Sequence, residues 1–60
     1  MVGQVFTEFP NLPGSETVDV TAVDERKALV FSRDDGSTRY IPVDTLGNGR
    51  DWIYRGRATV

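Results

Sequence analysis

Cysteine and histidine are both absent from this 60-residue chain. Without them the chain has no disulfide, and it lacks the thiolate and imidazole ligands that structural zinc sites use. Nucleophilic catalysis by cysteine is excluded, and a serine or threonine nucleophile would have no histidine base. Lysine occurs once, at Lys27 in a predicted turn, which is a poor setting for a catalytic amine. We therefore expect no catalytic residue, no cofactor and no metal ion, and we do not expect an enzyme.

Long apolar runs are also absent. No run approaches the ~20 residues of a membrane-spanning helix, and residues 1–10 lack the charged start and apolar centre of a signal peptide. We therefore expect a cytoplasmic protein that does not enter a membrane.

The chain is short enough to form only one domain, residues 1–60. A single core of this size rarely supplies more than ~3–5 kcal/mol of stability without a further staple. Because disulfides and zinc are excluded, association with another subunit is the leading source of additional stability. A second copy of the chain is the partner that we expect.

Acidic and basic residues are segregated along the chain, although the net charge is only −2. Residues 1–25 contain five acids and no base, whereas residues 26–60 contain all seven bases and four acids. Six of the bases are arginines, which favour bidentate contacts with carboxylates. We expect surface ion pairs between the two halves, each contributing little; a polarised surface that steers an anionic partner is the alternative.

The pair Asp35-Gly36 lies between two β-like runs and predicts a hairpin with a two-residue type I′ turn. In that register Phe31 faces Tyr40 and Val30 faces Ile41. The feature predicts a β architecture but no activity.

Five segments have the composition of short strands: residues 2–7, 17–23, 28–33, 38–43 and 51–58. Between the first two, residues 9–15 contain two prolines and a glycine, which favour a loop. Residues 44–47 predict a single helical or 3₁₀ turn with Asp44 as its N-cap and Gly47 as its end. Asn48-Gly49 predicts a second tight turn before the last strand.

The expected register gives two apolar faces to the meander of the second, third and fourth strands. We expect the principal core face to carry Val18, Val20, Ala22, Leu29, Phe31 and Tyr40. The opposite face would carry Val23, Ala28, Val30, Ile41 and Val43. A sheet with one solvated side shows only one apolar face, so either the outer strands curl over the second face or a second subunit covers it.

The expected fold is therefore all-β: a small, strongly bent five-stranded sheet, or a barrel closed by the first and last strands. Five short strands, a long first loop and a helical turn before the last strand resemble the layout of SH3-like barrels. The resemblance concerns architecture alone and implies no activity.

Our first functional hypothesis is a non-enzymatic module that binds protein or assembles as a homo-oligomer. Its self-association surface would be the apolar face that the predicted core leaves over. The residues expected there are Val23, Val30, Ile41 and Val43.

A second hypothesis, nucleic-acid binding, rests on the residues Arg50, Trp52, Tyr54, Arg55 and Arg57. In a regular strand Trp52 and Tyr54 share one face, and Arg55 and Arg57 share the other. Exposed aromatics beside arginines are typical of single-strand binders, but a lone tryptophan in so small a domain is more often a core residue. An enzyme whose site forms only in an oligomer is the third hypothesis.

Overall fold

The computed structural model describes residues 1–10 and 12–58. The elements are β1 (Gln4–Glu8), β2 (Thr17–Asp24), β3 (Lys27–Ser32), β4 (Thr38–Pro42), α1 (Val43–Leu46) and β5 (Trp52–Arg57). All five strands join one antiparallel sheet in the order β4-β3-β2-β1-β5. The all-β class, the five strands and the helical turn before the last strand are thus confirmed. In the described ranges no helix has the length and apolar character needed to cross a membrane.

The sheet is open, with β4 and β5 as its two edges. The first and last strands pair with each other, as β1 with β5, but no ladder joins β5 to β4 within the described residues. The predicted closure into a barrel is therefore wrong. Between the two edges, Leu46 of α1 and Trp52 of β5 are buried in the same cluster as Ile41 of β4. Side-chain packing takes the place of the missing ladder.

The core lies against one face of the sheet, which we call the inner face. Phe6 pairs with Val18, and Val20 pairs with Val30, so these side chains lie on the same side. The full cluster of buried apolar residues is Phe6, Val18, Val20, Ala28, Val30, Ile41, Leu46 and Trp52.

A β-bulge at Thr21 makes Val30, rather than Phe31, the inner-face residue of β3. Ala22 faces Leu29 as predicted, but Val20 faces Val30 where the uninterrupted register would place Phe31. Thr21 is the inserted residue, and its hydroxyl donates to the Leu29 carbonyl at 3.2 Å.

The bulge overturns most of the predicted core face, because an inserted residue moves the rest of a strand to the opposite side. Val18 and Val20 are buried as predicted. Leu29, Phe31 and Tyr40 lie on the other face with Ala22, and Phe31 is 39% exposed. The face that was predicted to lie opposite the core, with Val30 at its centre, is instead the face that forms the core.

Ser32 and Ser37 form the last hydrogen-bonded pair between β3 and β4, so the pair encloses a loop of four residues, 33–36, instead of two. Phe31 faces Thr38, and the Gly36 N–H donates to the Ser32 carbonyl at 2.9 Å. Of the four loop residues, all described, only Gly36 has a positive φ, 76°. The prediction of a type I′ turn, which needs positive φ at both Asp35 and Gly36, is therefore wrong. Instead, the Asp35 carboxylate accepts hydrogen bonds from the Ser37 N–H at 2.9 Å and from the Ser37 hydroxyl at 2.6 Å. This local pattern does not require a positive φ at Asp35. Because the register slips by an even number of residues, Leu29, Phe31 and Tyr40 still share one face with each other, as predicted.

Helix α1 ends where predicted but begins differently. The Gly47 N–H donates to the Val43 carbonyl at the C-terminal end. Pro42, not Asp44, occupies the N-cap position, and Asp44 lies in the first turn. The fixed φ of proline suits this boundary, since the last residue of β4 is also the cap residue directly before the helix begins at Val43.

Candidate functional site

The outer face of the sheet, opposite the core, carries a patch of apolar side chains on β2, β3 and β4. Ala22 faces Leu29 and Leu29 faces Tyr40, so the three form a row across the strands, and Phe31 follows Leu29 on the same side. Tyr40 is 53% exposed, Phe31 and Ala22 are also exposed, and Leu29 is half-buried. We call these four residues the outer patch.

Charged residues flank the outer patch in oppositely charged pairs. At one end Asp24 faces Lys27 across the strands, and the Lys27 Nζ lies 4.6 Å above the centre of the Tyr40 ring. At the other end Arg33 Nε and Nη2 donate to the two carboxylate oxygens of Asp19 at 2.7 and 2.8 Å. The border of the patch therefore holds two acids and two bases.

A second bidentate ion pair joins Arg39 of β4 to Glu16, just before β2, with Nη1 donating to Oε2 at 2.7 Å. The hydrogen bond from Arg39 holds the pKa of Glu16 below its usual value, and Arg33 does the same to the pKa of Asp19. Both pairs connect the acidic half of the chain to the basic half. The expected pairing between the halves is confirmed for these two arginines.

The edge strand β4 contributes Tyr40 to the outer patch and also has an open backbone edge. The Ser32 N–H donates to the Ser37 carbonyl, and the Val43 N–H donates to the Arg26 carbonyl. Because backbone groups point alternately to the two sides of a strand, the odd-numbered residues of β4 direct theirs toward β3. Thr38 and Tyr40 consequently direct their N–H groups to the open edge, and Pro42 has no N–H to offer.

The residues predicted for self-association do not form one surface. Val30 is 0% exposed, Ile41 is buried beside it, and Val43 packs against the same core. Val23 is 43% exposed, beyond the bulge. Val30 and Ile41 cannot reach a second copy unless the core opens, because the β2 bulge turned their face inward.

The arginine-aromatic segment is divided by the fold. Trp52 is buried in the core, which rules it out as an exposed stacking surface in the folded chain. Tyr54 is 53% exposed on edge strand β5, with its ring centre 5.5 Å from that of Phe6. Arg50, Arg55 and Arg57 are exposed.

A bulge in β5 changes the face of Arg57. Phe6 faces Tyr54, but Gln4 faces Arg57, so Arg55 and Gly56 together oppose the single residue Val5. Gly56 has a φ of 93°, the left-handed conformation that glycine adopts in such bulges. Arg57 therefore lies on the face of Tyr54 rather than with Arg55, contrary to the alternation expected of a regular strand.

One further surface has no counterpart in the sequence-based predictions. The loop between β1 and β2 exposes Phe9 (57%) and Leu12 (61%) beside an open depression of about 320 Å³. The sequence did carry a sign of this surface, because two large apolar residues lie among the prolines of a predicted loop. In the described part of the chain no three acidic side chains come together in a way that could hold a metal ion.

Searches against protein-family models, curated proteins and solved structures found no match to this chain.

Proposed function

We propose that this chain is a small assembly module, without enzymatic activity, that pairs with a second copy of itself through the outer patch. The observation that carries the proposal is the exposure of Phe31 and Tyr40 on a sheet face whose opposite side already holds the core. In a monomer these rings remain in water. Contact with an identical patch would remove them from water, which is the main favourable contribution to association.

The charges around the patch favour a second copy over a strongly charged partner. A partner of one charge sign would meet two unfavourable residues among Asp19, Asp24, Lys27 and Arg33. An identical surface in a two-fold arrangement can place each acid near a base.

The size of the domain supports the same conclusion. A typical stable interface covers about 800 Å² per partner, which is about a fifth of the 4104 Å² surface of this chain. A domain of 60 residues without cysteine or histidine cannot be stabilised by disulfides or by zinc held through those residues. Burial of surface against a second copy is another source of stability for so small a domain.

Contact between faces is favoured over pairing between β4 edges. β4 has only five residues, and Pro42 removes one donor from its open edge, two features by which proteins discourage edge pairing. The patch extends over three strands and offers more apolar area than the edge does.

We also propose that the domain is a variant of the SH3-like architecture with an open sheet. Two features support this assignment: the strand order β5-β1-β2-β3-β4, and the single helical turn between β4 and β5. The proposed assembly role does not depend on it.

The test is sedimentation velocity of the wild type and of two matched variants across a concentration series. Tyr40 and Tyr54 are equally exposed, but only Tyr40 lies in the outer patch. Tyr40→Asp should give a monomer with an unchanged circular dichroism spectrum, because a carboxylate would be buried in the apolar contact. Tyr54→Asp should associate like the wild type. A wild type that stays monomeric at the highest concentration, or equal effects of both variants, would contradict the proposal.

A further inference from the structure

The bulge in β5 places an aromatic side chain and an arginine on the same face of the strand. Tyr54 and Arg57 lie on the same face because Arg55 and Gly56 both oppose Val5. Arg57 Nη1 donates to the Val2 carbonyl at 3.3 Å, which uses one of the five N–H donors of its side chain. That bond holds the guanidinium at the residues just before β1 and leaves the other donors for a ligand.

The arginines at this edge differ from those at the centre of the sheet. Arg33 and Arg39 are each bound to a carboxylate, whereas Arg50, Arg55 and Arg57 make no ion pair with any described residue. The nearest acid in sequence, Asp51, accepts a hydrogen bond from the Asn48 side chain at 2.7 Å. Glu8 faces Trp52 across the strands, so three arginines stand against the two acids Asp51 and Glu8, and the β5 edge keeps a net charge of about +1 in a protein whose net charge is −2.

We propose that this edge binds single-stranded nucleic acid, with one base stacked on Tyr54 and a neighbouring phosphate held by Arg57. Aromatic rings accept any base by stacking, and arginine matches phosphate with paired N–H donors. Arg55 lies on the opposite face of β5 and takes no part in this contact. Burial of Trp52 leaves Tyr54 as the one exposed aromatic of β5, so the site takes one base at its centre.

This site does not rest on the proposed self-association. The outer patch lies on β2, β3 and β4, and the site lies on β5, at the opposite edge of the sheet. Pairing through the patch leaves Tyr54 and Arg57 accessible, and either proposal can fail without affecting the other.

The first experiment measures fluorescence anisotropy of a labelled oligothymidine of about ten nucleotides, a length within the usual site size of small single-strand binders. Wild type should bind at low salt, and Tyr54→Ala should weaken binding roughly 5- to 150-fold, the range measured for loss of one stacking contact. Tyr54→Phe should bind like the wild type because it keeps the ring. Tyr40→Ala, which removes an equally exposed tyrosine from the outer patch, should have no effect.

The second experiment separates the specific role of Arg57 from general charge. Arg57→Ala and Arg55→Ala remove the same charge from opposite faces of β5. Loss of one phosphate contact should reduce the slope of log affinity against log salt by about 0.7, and we expect this for Arg57→Ala alone. Absence of wild-type binding at low salt, equal slopes for the two variants, or equally tight binding of a duplex of the same length would overturn the proposal.

Discussion

At the scale of single residues, two arginines connect the parts of the sheet that are far apart in sequence. Arg33 reaches Asp19 across 14 positions, and Arg39 reaches Glu16 across 23. Exposed pairs of this kind contribute little individually, but each is bidentate and so fixes the direction of both side chains. Their main consequence is a dependence of stability on pH.

Acidification should destabilise the protein through Asp19 and Glu16. Both have a pKa lowered by their arginine partners, so the unfolded chain binds protons more readily than the folded one. Their contribution is fully present above the unfolded-state values of about 4 and is lost as the pH falls through the lower folded-state values. Thermal melting of the wild type and of Asp19→Asn from neutral to low pH tests this. The difference in melting temperature between them should shrink as the pH falls, and a constant difference would contradict the expectation.

Gly36 should resist replacement by a β-branched residue. Its φ of 76° lies in the left-handed region, and among the described residues no atom beyond its two chain neighbours lies within 4 Å of the position that a Cβ would take. Only backbone strain opposes a side chain there. We expect Gly36→Val to lower the free energy of unfolding by more than ~1 kcal/mol, and Gly36→Asn to lower it by less, because asparagine tolerates this conformation. Urea denaturation measures both, and equal losses would argue against strain as the cause.

At the scale of elements, the two bulges decide which residues form the core and which form the surface. Residues 17–22 alternate polar and apolar types, and the alternation first breaks at Ala22-Val23, after the bulge, so the pattern does not single out Thr21 as the extra residue. Gly56 was a detectable signal, since an isolated glycine in a strand often indicates a bulge. The strand positions followed from composition and turn residues, whereas the faces depended on a pairing irregularity that the β2 sequence does not show.

The reversal of the faces can be tested with two identical substitutions. Val30 is fully buried and Val23 is 43% exposed, so replacing each by alanine removes the same atoms from different surroundings. Val30→Ala should lower the free energy of unfolding by about 2 kcal/mol or more, from lost burial plus a cavity. Val23→Ala should lower it by less than about 1 kcal/mol. Chemical denaturation below the concentration at which the chain associates measures both, and a larger loss at Val23 would contradict the inner-face assignment.

At the scale of the whole molecule, the chain divides its apolar residues between a core and a surface. The sequence indicates two apolar faces on the sheet, one more than a sheet with one solvated side shows. The prediction identified the wrong face because the Thr21 bulge was not anticipated, and it placed Val30 and Ile41 at an interface. The candidate surfaces were recoverable only in part: Tyr54 and the arginines of β5 were named in advance, but Phe31 and Tyr40 were expected in the core.

Self-association should make the melting temperature depend on protein concentration. If two copies pair in the folded state and the unfolded chains are separate, mass action stabilises the folded form as concentration rises. The wild type should therefore melt at a higher temperature when concentrated, and Tyr40→Asp should melt at one temperature throughout. At high dilution the two proteins should converge, because Tyr40 is half exposed in the monomer and contributes little to its core. Differential scanning calorimetry over a wide concentration range measures this. A wild-type melting temperature independent of concentration would mean that the outer patch is not covered by a second copy, whatever its exposure suggests.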